Sequence, residues 1–237
     1  MKLKYESLIH QTAVGEFNRS RYQNRKAMKK IMFNDEYGLT QAVLDGRKTQ
    51  TRRIVPQRIF DNIRQFQEEY YDATFDTLED TELLNHFLFT EKRHGRLTYN
   101  VGEVVAVAQS YKDAGVCFIQ CDFIPKHNRL WGHTENMKGW TNKMFVQAET
   151  MPHQIRINDV RVERLQDISD EDCLKEGLEW DGKASKYYVG YAKGTGKKNW
   201  LGDTPREAFA HLINKVSRKD VWNENPYVFV YDFELVK

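Results

Sequence analysis

Alternation is the strongest periodic signal along this chain. Gln154-Ile155-Arg156-Ile157-Asn158-Asp159-Val160-Arg161-Val162-Glu163-Arg164-Leu165 alternates apolar and polar residues, with a one-residue slip at Asn158-Asp159 that predicts a β-bulge. Residues 227–236 read as an aromatic-rich strand, and 104–108 as a buried strand entered from the turn Asn100-Val101-Gly102-Glu103. Residues 30–33, 116–123 and 145–148 read as further short strands. Helical spacing is scarcer. Leu39-Thr40-Gln41-Ala42-Val43-Leu44 predicts a short amphipathic helix, with Gly46 placed for a left-handed C-terminal cap. Ser169, with Asp172 three residues on, approximates a capping box for a helix running to about Glu176 and ended by Gly177. Thr204-Pro205-Arg206-Glu207 starts a helix that continues to about residue 216, with Pro in its first turn. Residues 183–200 read as a Gly/Lys/Tyr loop. Many short strands, few helices and no βαβ rhythm predict an α+β fold around a barrel-like sheet.

Composition adds organisation. The 237 residues are 40% hydrophobic, enough for a sizeable core. The formal net charge of +2 gives no global argument for nucleic acid, but the charge is unevenly placed. Residues 1–30 carry a net +6 and form a basic extension, whereas 61–82 carry a net −7. The latter lie in an acidic insertion at about 57–97 whose aromatics (Phe60, Phe66, Tyr70, Tyr71, Phe75, Phe87, Phe89) predict packed, mostly helical structure. The domain proper is expected over 31–237. Three cysteines suit a reducing compartment. No apolar run approaches the roughly 18 residues of a membrane span. Residues 5–14 are broken by Glu6, Ser7, His10 and Gln11, unlike a signal peptide. The chain therefore reads as cytoplasmic.

The densest chemistry is Gly46-Arg47-Lys48-Thr49-Gln50-Thr51-Arg52-Arg53, four cations and two hydroxyls in eight residues. Arg supplies a rigid fork of donors and Thr a small hydroxyl, a set that grips an anionic or amide-bearing ligand. The competing reading has the Arg side chains paired with acids such as Glu163 or Asp167. Thr51 as nucleophile and Lys48 as base would suit amide hydrolysis. On a regular strand, however, the two point to opposite faces, so that chemistry needs a turn after Gly46. Cys117, Cys121, His127 and His133 do not make a zinc site: Cys117 and Cys121 on one strand stand about 13 Å apart at ~3.3 Å per residue, too far for two thiolates at ~2.3 Å from one ion. Lys183, Lys186, Lys193, Lys197 and Lys198 interleave with Tyr187, Tyr188, Tyr191 and Trp200, a spacing that also suits single-stranded nucleic acid. Gly194-Thr195-Gly196-Lys197-Lys198 lacks the spacing of a phosphate-binding P-loop, and no cofactor or metal is called for.

Four segments in order resemble the ASCH superfamily, in particular its larger bacterial and phage-borne subgroup. They are GRKTQTRR at 46–53, the Gly-acid turn and strand at 102–107, DVRVERLQDISDEDCLKEG at 159–177, and the ending in which a helix at 205–216 leads to WNENPYVFVYDFEL at 222–235. The resemblance covers roughly 31–56, 98–111 and 137–237. It implies a PUA-like β-barrel of mixed strands with flanking helices. It also implies binding of RNA or a modified nucleotide, with Arg47, Arg52 and Arg53 on phosphate or a base edge, Gln109 and Asn225 as further contacts, and Lys48, Thr51 and Glu176 lining the pocket. One branch of the family removes the acetyl group from acetylated cytidine, and its catalytic positions fall on Lys48, Thr51 and Glu176, which implies a metal-independent amidohydrolase as the alternative. The subgroup's Trp-Val-Arg-Glu strand is here Ala106-Val107-Ala108-Gln109, so its Arg-Glu pair becomes Ala108 and Gln109. A third reading is an interaction protein that docks a partner through the acidic insertion.

Overall fold

The computed structural model describes residues 27–62, 80–94, 97–115, 138–191 and 196–236. The expected strand at 116–123, with Cys117, Cys121, His127 and His133, lies outside the described residues, as do 1–26 and 63–79 of the extension and insertion.

Five strands form a mixed sheet: β1 (Lys30–Ile31), β2 (Gln50–Ile54), β3 (Val104–Val107), β4 (Gln154–Arg164) and β8 (Tyr227–Val236), in the order β1-β3-β4-β8-β2. Only β1 and β3 run parallel. β1 and β2 are the two end strands, so the described residues form no closed barrel. The spine is β4 against β8, in register from Gln154↔Val236 to Arg164↔Tyr227. The register shifts between Ile157 and Asp159, as the sequence slip predicts. The extra residue lets Ile155, Ile157, Val160 and Val162 all turn into the core. β8 is buried on both faces from Tyr227 to Tyr231, which its unbroken apolar and aromatic run requires.

Helices cover the sheet. α1 is Leu39–Leu44, α2 is Asp80–His94, α3 is Asp170–Lys175, α4 is Pro205–Ser217 and α5 is Val221–Glu224. The Ser169 side chain accepts from the Asp172 amide (3.1 Å) and the Thr204 side chain from the Glu207 amide (3.2 Å), the caps that the sequence marks. All described residues of the insertion at 57–62 and 80–94 are helical, and α2 enters the main core through Leu84 and Leu88. The end of the basic extension belongs to the body: the Ala106 amide donates to the Lys29 carbonyl (2.9 Å), and the Lys29 ammonium pairs with Glu103 (2.9 Å).

Two expectations are corrected. Residues 183–200 are not a loop: β5 (Glu179–Asp181), β6 (Lys186–Tyr191) and β7 (Lys198–Gly202) make an antiparallel three-stranded sheet. Val189 and Leu201 bury one of its faces, which packs on α4, while Tyr188 and Trp200 pair across the other. Residues 145–148 are not a strand. They link two 3₁₀ turns, Lys143–Phe145 and Ala148–Thr150, the first capped by the Asn142 side chain accepting from the Met144 amide (2.9 Å). The second sheet is fixed to α1 by two glycines. Gly190 (φ +45°) and Gly38 (φ +68°) meet backbone to backbone, and a Cβ on Gly190 would lie 2.9 Å from the Tyr37 carbonyl oxygen.

Candidate functional site

Two helix ends place the cation-rich motif. Gly46 follows α1 at φ +73°, and the amides of Arg47 and Lys48 both donate to the Ala42 carbonyl at 2.9 Å. The chain thereby turns back past the end of α3, where the Thr49 amide donates to the Lys175 carbonyl (3.0 Å). The Thr49 carbonyl accepts from the Phe233 amide (2.9 Å), and the segment enters β2 against β8.

Lys48 is only 2% exposed. Its ammonium donates to the Glu176 carboxylate and, at 3.0 Å, to the Glu176 carbonyl. Arg52 reaches the other oxygen of the same carboxylate (Nη1 to Oε1, 3.0 Å). Its Nε and Nη2 donate to Glu163 Oε1 at 3.0 and 2.7 Å, and Nη2 also lies 3.3 Å from Asp172. Arg161 closes the network, donating to Asp172 (2.6 Å), Glu163 (3.2 Å) and Asp232, and Asp232 accepts from Gln50 Nε2 (2.7 Å). Removing ions from water is costly, and here each buried charge meets its opposite.

These neighbours shift the acidities. Burial pulls the Lys48 pKa below its ordinary value; the Glu176 carboxylate opposes that pull, and Arg53 and Arg52 add to it. Burial alone would lower Arg52, but Glu176 and Glu163 outweigh it and raise the guanidinium. Burial alone would raise Asp172, yet the Lys175 hydrogen bond and the Arg161 charge hold its carboxyl below the usual range.

The pleat separates the rest of the motif. Gln50 and Arg52 share one face of β2 with the network, whereas Thr51 and Arg53 fall on the other, where Tyr231 stands directly across from Thr51. Thr51 is buried and takes part in none of the network's hydrogen bonds. The structure thus joins Lys48 to Glu176 and leaves Thr51 on the opposite face. Arg47 pairs with Asp45 (2.9 Å) and Glu179 (2.6 Å). Of the acids that the sequence offers as Arg partners, Glu163 is used, and Asp167 sits in a 3₁₀ turn. Arg47, Lys48 and Arg52 are therefore matched by carboxylates, and only Arg53 presents an exposed guanidinium. It donates to the Met32 carbonyl (2.7 Å) and lies 6.0 Å from the centre of the Phe33 ring.

Arg53 opens onto a groove of about 290 Å³ whose lining includes Lys30, Arg58, Tyr99, Phe229 and Tyr231. Cations and aromatic rings line it, with no carboxylate among the lining residues. Tyr99 and Tyr231 meet edge to face with centroids 5.5 Å apart, and the Tyr99 hydroxyl donates to the Lys30 carbonyl (3.1 Å). Burial pushes the Tyr231 phenol up to about 12 and raises Tyr99 as well. Sequence reasoning misses Lys30, Arg58, Tyr99 and Tyr231 as site residues. Only the alternating aromatics of β8 signal Tyr231, and only strand register shows that it faces Arg53's side of the sheet.

Gln109 and Asn225 sit elsewhere. Asn225 ends α5 at φ +44°, its Oδ1 accepts from the Gln166 amide (2.8 Å), and its carbonyl accepts from Arg164 (3.3 Å). It ties the turn after β4 to the start of β8. Gln109 follows β3, and its side chain lines a separate cavity beside α1.

Among the described residues, no group of three or more His, Cys, Asp or Glu side chains could hold a metal ion. Among them, no helix is long and apolar enough to cross a membrane. No family model, curated protein or solved structure matches the chain.

Proposed function

We propose that the chain binds single-stranded RNA or a nucleotide in the groove beside Arg53, and that its five-stranded sheet is the described part of a PUA-like ASCH domain. The supporting observation is the groove's lining: three cations and three aromatic rings with no carboxylate among them. Phosphates are attracted to the exposed Arg53 and Arg58, whereas the Lys30 ammonium donates to the Met144 and Val146 carbonyls (2.6 and 2.7 Å). Tyr99 is the half-buried ring among the three and offers the face on which a base stacks, with little sequence preference. The reading moves the ligand away from Arg47 and Arg52, whose charges are neutralised internally. Fluorescence anisotropy of a labelled single-stranded RNA, measured across a salt series, tests it. Affinity should fall with salt, and the Arg53→Ala/Arg58→Ala double variant should flatten the slope by roughly 0.7 for each phosphate it no longer neutralises. Affinity that is absent at low salt, or a slope unchanged in the double variant, removes the proposal.

A second reading, hydrolysis of an acylated nucleobase, is favoured by the contact between Lys48 and Glu176 and by the lowered Lys48 pKa, which favours the free amine that a general base needs. Thr51 lies on the opposite pleat from that pair's network, so this chemistry requires its hydroxyl to reach Lys48 around the strand. Turnover of acetylcytidine by the wild type, lost in Lys48→Ala, is the outcome it requires.

A further inference from the structure

The second sheet turns one face away from α4, and a slip in its register gathers three aromatic rings there. Tyr188 and Tyr191 are three residues apart, which on a regular strand puts them on opposite faces. The register breaks between Val189 and Tyr191, where Gly190 (φ +45°) takes up the extra residue. Tyr191 therefore pairs with Lys198 and joins Tyr188 and Trp200 on one side. Glu179 and Asp181 of β5 share that side, with Glu179 directly across from Tyr188. Tyr188 stands at 62° to Tyr191 and at 63° to Trp200, with centroids 6.4 and 5.7 Å away. Rings so tilted form the walls of a box and not a flat platform. The Tyr188 hydroxyl donates to Glu179 (3.1 Å) and so fixes one wall, whereas Trp200 and Tyr191 are 41% and 55% exposed.

The box already holds a cation. The Lys198 ammonium lies 4.1 Å from the centre of the Tyr188 ring and 5.5 Å from that of Trp200, and it pairs with Asp181. Asp181 is aimed independently of it, because the other carboxylate oxygen accepts from the Lys183 and Ala184 amides (2.8 and 3.1 Å). The fold's own lysine thus shows what fits: an ammonium on an alkyl stem, set against ring faces and a carboxylate. Its pair with Asp181 reaches solvent, and ion pairs at the surface contribute little, so Lys198 is open to displacement. An unmodified lysine from outside gains nothing that the tethered Lys198 does not already have at higher effective concentration. A methylated ammonium differs. It is less strongly hydrated, gives up less on leaving water, and lays its methyl groups on the ring faces. Nucleic acid suits this face poorly, since Lys198 covers the Tyr188 ring, its neighbours are tilted from it, and two carboxylates stand beside them.

We propose that this face binds the methylated lysine side chain of a partner polypeptide, which displaces Lys198 from between Tyr188 and Trp200 and pairs with Asp181. The occupant is a polypeptide because the face is open: a free ammonium touches only the rings, whereas a chain laid along the sheet adds contacts of its own. None of these residues lines the Arg53 groove, so this inference does not depend on the groove binding RNA. The test follows the β6 and β7 amide shifts by NMR as the full chain is titrated with a glycine pentapeptide carrying a central trimethyllysine. The same peptide with lysine, the peptide with the uncharged tert-butyl analogue, and tetramethylammonium are the comparisons. Trimethyllysine should bind at least about tenfold more tightly than lysine or the uncharged analogue, the ratio for a cation settled on ring faces. Lys198→Ala empties the box and should raise that affinity at least about threefold, whereas Trp200→Ala should lower it about tenfold. Trp180→Ala, on the opposite face of the same sheet, should leave it unchanged. No binding of the trimethyllysine peptide, equal affinity for any of the three comparisons, no gain in Lys198→Ala, affinity kept in Trp200→Ala, affinity lost in Trp180→Ala, or single-stranded RNA binding lost in Trp200→Ala would each overturn the proposal. The wild-type comparison stands even if a variant fails to fold.

Discussion

Lys48 and Glu176 lie 128 positions apart in the chain and share one buried ion pair, which Arg52 completes from the neighbouring strand. The arrangement is asymmetric. Glu176 has two cationic partners, whereas Lys48 has Glu176 as its carboxylate partner. The two deletions should therefore differ. Glu176→Leu strands a buried ammonium and should cost about 3–5 kcal/mol. Lys48→Met leaves Glu176 bonded to Arg52 and should cost roughly half as much. Urea unfolding at pH 7 measures both, and equal losses would refute the asymmetry.

The same pair predicts a pH response. Native Lys48 has a pKa below 10.5 because it is buried, so between that lower value and 10.5 the unfolded chain holds the proton more firmly. Stability contributed by this group therefore rises with pH across that window. In Glu176→Leu the opposing carboxylate is gone, the native value falls further and the window widens. The deficit of this variant should shrink as pH rises from 7 to 10, as followed by unfolding at each pH.

Cys173 and Tyr231 act in the opposite direction. Burial raises each to about 12, from ordinary values of 9.0 and 10.0. A native pKa above the unfolded one means that stability is fully present below the unfolded pKa and is lost as pH rises through the native value. Between pH 9 and 12, net stability should fall wherever these two groups outweigh Lys48. Tyr231→Phe should flatten the part of the decline above pH 10, and native Cys173 should resist thiol reagents at pH 8 until the protein is unfolded.

Local patterns carry much of this fold into the sequence. The bulge at Asn158, the caps at Ser169 and Thr204, the turn at Gly46 and the full length of β8 follow from alternation and side-chain chemistry within a few residues. What escapes is tertiary. Nothing in the spacing pairs Lys48 with Glu176; only the family resemblance puts them in one site, and the contact depends on α3 ending beside the entry to β2. Apart from Asp45, which lies beside the motif, the acids that neutralise Arg47 and Arg52 come from β5, β4 and the α3 segment, so the motif's cation density overstates the free charge it presents. Residues 186–191 hide a strand because Gly190 and the register breaks on either side of Tyr188 and Val189 interrupt the alternation.

Gly190 should prove intolerant for a reason visible only in three dimensions. A Cβ there would stand 2.9 Å from the Tyr37 carbonyl oxygen and 3.1 Å from Gly38 Cα, both backbone atoms that cannot rotate away, and φ is +45°. Gly190→Ala should cost about 3 kcal/mol, combining left-handed strain with the displacement of α1 from the second sheet. Gly196 makes the comparison. It is also left-handed (φ +64°), but an added Cβ would meet nothing within 4 Å, so Gly196→Ala should cost only the strain, about 1 kcal/mol. Thermal unfolding of the two variants separates the terms.

Asn225 offers a final test between ligand contact and structural tie. Its Oδ1 accepts from the Gln166 amide, and its φ of +44° falls where Asn and Gly are tolerated best. Two substitutions separate these roles. Asn225→Gly keeps the backbone conformation and loses the hydrogen bond, which should cost about 1 kcal/mol. Asn225→Ala loses the bond and adds left-handed strain, which should cost about 1–2 kcal/mol more. If Asn225 serves only the fold, both variants bind labelled single-stranded RNA as the wild type does once measured well below their melting temperatures. If it contacts ligand, both lose affinity equally although their stabilities differ, and that pattern would return Asn225 to the binding site.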